Sequence, residues 1–138
     1  MADQQKRIMV GYNVFFTSER VIDVAIEHAV AFDAKLIVVS SVVGHSLDEE
    51  GALADRAPAE RLTEFRAKLE KAAIPYETHL LVRELTPGED LVAFAKENGI
   101  YEMVVGFKKR SAIGEIVFGS NYRHMIENAP CPIVTVHD

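Results

Sequence analysis

The feature that most constrains the fold is a regular change of hydrophobic period along the chain, from strand-like to helix-like and back. Ile8-Met9-Val10 is a short apolar run closing at Gly11, which predicts a buried strand. From Val21 the period turns helical. Val21, Ile22, Ala25, Ile26, Ala29 and Val30 are assigned to one face, and Thr17 or Ser18 can cap the helix by accepting its first free N–H groups. Leu36 to Val43 is apolar on both faces, as a central parallel strand should be. A second helix follows Pro58, with Leu62, Phe65, Leu69 and Ala72 as its apolar stripe. Tyr76 to Val82 predicts a third strand.

The second half repeats the alternation with clearer punctuation. Thr86-Pro87-Gly88-Glu89 has the form of a capping box, with Pro87 as the first helical residue. Leu91, Val92 and Ala95 face inward from that helix, and Gly99 suits its end. Glu102 to Gly106 holds a fourth strand around Met103-Val104-Val105. After a long loop Ser120 can cap a helix bearing Met125, Ile126 and Ala129 on one side, and Pro130 ends it. Ile133 to Val136 is the last strand.

Five strands alternating with four helices predict an α/β fold: a five-stranded, mainly parallel, Rossmann-like sheet with helices on both faces. The 138 residues suit one domain, residues 1–138, and 49% hydrophobic content is enough for a core. The single cysteine, Cys131, cannot form an internal disulfide and reads as a buried residue at the start of the last strand. A net charge of −6 disfavours nucleic acid and membrane surfaces as partners. The apolar run Ile8–Val10 is too short for a signal peptide, and the run to Val43 is too short to span a bilayer. The expectation is a soluble, cytoplasmic protein.

In such sheets ligands bind beyond the carboxyl ends of the strands, where the strand order reverses. The loops to inspect follow strands one, two and four. The fourth strand leaves through Gly106 and reaches the next helix at Gly119-Ser120. A helix amino terminus offers free N–H groups and a positive dipole end, which suits a phosphate. Lys108-Lys109-Arg110 adds the one run of three consecutive cations in an otherwise acidic chain. On local chemistry alone, a plain crossover loop with an ordinary cap is the favoured account of these residues.

The spacing from Gly106 through position 109 to Gly119-Ser120 resembles the Gly-x2-Gly-x9-Gly-Ser/Thr loop of the universal stress protein family. Ala129-Pro130-Cys131-Pro132-Ile133-Val134-Thr135-Val136 resembles that family's closing segment, and the likeness extends over the whole chain. The resemblance implies a five-stranded α/β fold and a homodimer paired through the last strand, Ile133–Val136. It also implies ATP or AMP, with or without magnesium, between the loops after strands one and four. The residues so implied are Tyr12, Asn13, Val42, Gly106, Lys108, Lys109, Arg110, Gly119, Ser120 and Asn121, with Val42 against the adenine.

Two positions depart from the family pattern. Lys109 stands where the loop has its second glycine, although a branch of the family with a basic run, a serine and a later glycine matches Arg110, Ser111 and Gly114. Three roles stand open for the basic run: charge for phosphates, a solvated patch, or a lysine filling the phosphate pocket. Asn13 stands where many members have aspartate, and Val14-Phe15-Phe16 follows where small residues are common. Those aromatics can stack on a base, fill the pocket, or pack under the loop; packing is the expected role.

Other chemistry lacks its signature. No Gly-x4-Gly-Lys-Ser/Thr, Gly-x-Gly-x2-Gly or Gly-x-Ser-x-Gly motif occurs. His28, His45, His79, His124 and His137 show no metal spacing, and His28 and His124 read as surface or satisfied residues. The carboxylates between His45 and Arg56 read as a solvated connection. No metal is expected. An enzyme reading has no nucleophile or base to name, so slow ATP hydrolysis is its upper limit. The competing function is a dimeric interaction module of the same fold without nucleotide.

Overall fold

The strands and helices assemble by the simplest rule for alternating elements, each helix carrying the chain back so that the next strand runs parallel. The computed structural model describes residues 5–12, 19–43, 63–83, 87–107 and 120–137. The strands are β1 (Arg7–Tyr12), β2 (Lys35–Val43), β3 (Tyr76–Arg83), β4 (Glu102–Phe107) and β5 (Ile133–His137). The helices are α1 (Glu19–Phe32), α2 (described over 63–72), α3 (Pro87–Glu97) and α4 (Ser120–Asn128). The sheet has the order β3-β2-β1-β4-β5, and every pairing in it is parallel.

Side chains alternate across this sheet, so each strand feeds two cores. Ile8 and Val10, with Leu36, Val38 and Val104, pack against α1 and α2. Met9, with Ile37, Val39, Met103 and Val105, packs against α3 and α4. Helices therefore cover both faces. The α2 stripe contributes Phe65 and Leu69 as buried residues, and α3 contributes Leu91, Val92, Phe94 and Ala95. Leu62, the caps Thr17, Ser18 and Thr86, and the His45–Arg56 connection lie outside the described residues.

Three helices end through a left-handed residue. Gly99 does so after α3 at φ 61°, as expected of a helix-stopping glycine. Asp33 after α1 and Ala73 after α2 do so at 53° and 58° without being glycine. Each costs about 1 kcal/mol in backbone strain, and Asp33 is followed by the closing bond from Ala34 N–H to the Ala29 carbonyl at 2.8 Å.

Three burial expectations need correction. Val30 is 60% exposed and Ile126 is 58% exposed, rather than facing the core. At 100° per residue Val30 lies opposite Val21 on the α1 cylinder. Ile126 is likewise a quarter-turn round from Met125, which is the buried one. Cys131 is half-buried rather than buried. Burial and the nearby Glu102 charge push its thiol pKa up, which suppresses the nucleophilic thiolate.

Candidate functional site

The strand order places the reversal at β1, which pairs with β2 on one side and β4 on the other. Gly11 is in register with Val105, so one step further Tyr12 stands beside Gly106 at the carboxyl ends of the two strands. Tyr12 also pairs with Ser40 of β2, and Val42 lies two residues beyond that pairing, in register with Val82. The backbones of Tyr12, Val42 and Gly106 thus meet at one end of the sheet. Asn13, Lys108, Lys109, Arg110 and Gly119 lie outside the described residues.

Gly106 has a packing reason of its own. A Cβ there would stand 2.9 Å from Val21 Cγ2, so α1 crosses β4 only because the side chain is missing. The close neighbour at this glycine is thus the α1 first turn.

The helix ends differ in charge. The first turn of α1 carries Glu19, and that of α3 carries Glu89 and Asp90. These carboxylates offset the positive dipole end of their own helices. The first turn of α4, which begins at Ser120 and continues with Asn121, carries no acidic residue. Among the helices whose starts are described, α4 is thus the one whose positive dipole end meets no carboxylate of its own first turn.

Sequence reasoning missed two polar features. Asp90 is fully buried just before Leu91, whose Cδ1 approaches within 3.1 Å of the position a Gly11 Cβ would take. Its signal was the acidic first turn of α3. The second lies at the opposite end of the sheet. His28 Nδ1 and Glu102 Oε1 are 2.7 Å apart, joining α1 to the start of β4. This contact bears out the reading of His28 as a satisfied residue. His124 Nδ1 meets the Asn128 amide at 3.4 Å. Among the described residues, no group of three or more His, Cys, Asp or Glu is placed to hold a metal ion. No described helix is long and apolar enough to cross a membrane.

The universal stress protein family model matches residues 5–137. The chain belongs to the universal stress protein family. Among solved structures, a universal stress protein from Archaeoglobus fulgidus is 31% identical, with a TM-score of 0.78 over 94% of this chain and 97% of that one. A universal stress protein from Archaeoglobus fulgidus in complex with dAMP is 29% identical, with a TM-score of 0.71 over 94% and 96% of the two chains. A universal stress protein in complex with cAMP shares the fold at 24% identity and a TM-score of 0.72, covering 96% and 97%. No curated protein sequence matches significantly. The all-parallel sheet with two helical faces is therefore the universal stress protein fold.

Proposed function

We propose that the chain binds an adenine nucleotide, ATP or AMP, at the loops after β1 and β4. The observation that carries this reading is the α4 amino terminus: it follows β4 at the strand-order reversal and has no acidic residue in its first turn. An anion there gains from the dipole without displacing a carboxylate. Gly119, Ser120 and Asn121 would receive the phosphates, with Lys108, Lys109 and Arg110 adding charge. Tyr12, Asn13 and Val42 would line the adenosine side. A relative at 29% identity in complex with dAMP supports the ligand class. On this reading residues 1–138 form one cytoplasmic regulatory domain, with magnesium accompanying ATP.

Calorimetric titration with ATP and AMP, with and without magnesium, is the direct test. Binding tighter than about 1 mM is expected. Ser120→Ala should weaken it about tenfold, the usual worth of one hydrogen bond to a charged group. Absence of heat at that concentration overturns the proposal.

The second reading, an interaction module without nucleotide, is favoured by Gly106, which Val21 packing explains with no ligand. Both readings include a homodimer. β5 is an edge strand whose outer N–H and C=O groups face no strand among the described residues, with Ile133 and Val134 only half-buried. Such an edge invites a second copy. Sedimentation at tens of micromolar should return a dimer; a monomer would remove this part.

A further inference from the structure

A groove of about 970 Å³ opens at the amino-terminal ends of the strands, at the far end of the sheet from the α4 start. Its walls hold Lys6, Arg7, Lys35 and Lys96, four of the fifteen lysines and arginines in a chain of net charge −6. Two carboxylates stand against them. Glu97 is on the wall, and Glu77 lies behind it on β3.

The cations are only partly committed. Arg7 and Lys35 are register partners on β1 and β2 and share the single carboxylate of Glu77, at 3.7 Å and 2.5 Å. Lys35 first, then His79 and Arg7, hold the Glu77 pKa down at about 2, so it is fully charged near neutrality. It still neutralises only one of the two. At 3.7 Å the Arg7 contact is beyond hydrogen-bond reach, and its Nε is covered without an acceptor. Lys6 and Lys96 have no ion pair among the described residues. Lys6 instead sits 4.5 Å from the Tyr101 ring centroid, and Tyr101 is 43% exposed on the same wall.

We propose that this groove binds an acidic peptide segment of a partner protein. The arrangement of donors selects that chemistry over a compact phosphate. The cations come from three places, the β1 entrance, the β2 start and the last turn of α3, and do not converge on a backbone cradle. The helix ends nearest the groove are carboxyl ends, those of α3 and α4, whose carbonyls repel a concentrated dianion. Spaced carboxylates on an extended chain can each meet one cation and avoid those carbonyls. The terminal nitrogens of the Arg7 guanidinium, outside hydrogen-bond reach of Glu77, suit a carboxylate in fork geometry.

The test is fluorescence anisotropy with a labelled peptide of alternating Glu and Ser, beside a Gln and Ser counterpart. The expected result is saturable binding of the acidic peptide alone, lost in about 1 M salt, where the Debye length falls to about 3 Å. The double variant Arg7→Gln, Lys96→Gln should weaken it about tenfold or more. Circular dichroism and nucleotide titration of that variant should match the parent. Replacing Lys108, Lys109 and Arg110 by Gln should leave peptide affinity unchanged, which separates this groove from the nucleotide loop. The proposal is overturned if the acidic peptide does not bind, if the groove variant binds it equally well, or if pyrophosphate displaces it at stoichiometric concentration.

Discussion

Replacing Gly106 by valine is expected to lower the melting temperature by roughly 5–10 °C, through about 2 kcal/mol of overpacking. The cause is local. The first added carbon would already stand 2.9 Å from Val21 Cγ2, and two further methyls follow on a stiff, branched side chain. Neither strand β4 nor helix α1 can yield easily. β4 is paired on both sides, to β1 and β5, while α1 is anchored by Ile22, Ala25 and Ala29. A double-mutant cycle isolates the contact. Val21→Ala alone should cost about 2 kcal/mol by emptying a buried site. Combined with Gly106→Val it should cost less than the sum by on the order of 1 kcal/mol. Strict additivity in urea melts would show that this contact is not why the glycine is needed.

The second large effect concerns the opposite face. Met103→Ala should destabilise by about 3 kcal/mol, seen as a lower urea midpoint with an unchanged slope. Met103 is fully buried, in register with Met9 on one side and Ile133 on the other, so the cavity would open mid-sheet beneath α3 and α4. Ile126→Ala is the matched control. At 58% exposure it should change stability by no more than about 0.5 kcal/mol. An equal loss from both would mean that Ile126 is covered in solution.

The alternation of periods made the fold legible because each period reports one element and its buried side. Pro87 and Gly99 punctuated α3 where they were expected to, at its first residue and its left-handed stop. Val30 and Ile126 misled for a geometric reason: hydrophobicity at near-helical spacing was read as one stripe, although an error of one residue turns a side chain by 100°. The site was legible in part. Tyr12 and Gly106 come to one sheet end because β1 and β4 are neighbours, as the family resemblance implied, and Val42 joins them from β2 on the other side of β1. The Val21 contact at Gly106 and the His28–Glu102 pair were not legible. Each joins α1 to β4, and which helix crosses which strand is decided by sheet order, not by local pattern. The basic groove escaped for the same reason, since Arg7, Lys35 and Lys96 are far apart in sequence.

The position of β1 in the middle of the sheet also bears on how the chain comes off the ribosome. β1, β2 and β3 are made first and can pair in order, but the other edge of β1 belongs to β4, which begins only at Glu102. Until then Ile8, Met9 and Val10, all fully buried in the folded chain, have one bare flank, an unpaired strand edge. The nascent amino-terminal half thus carries an apolar strand edge with which a wrong partner can pair. Arrival of β4 closes that edge and sets Gly106 beside Tyr12 in the same event.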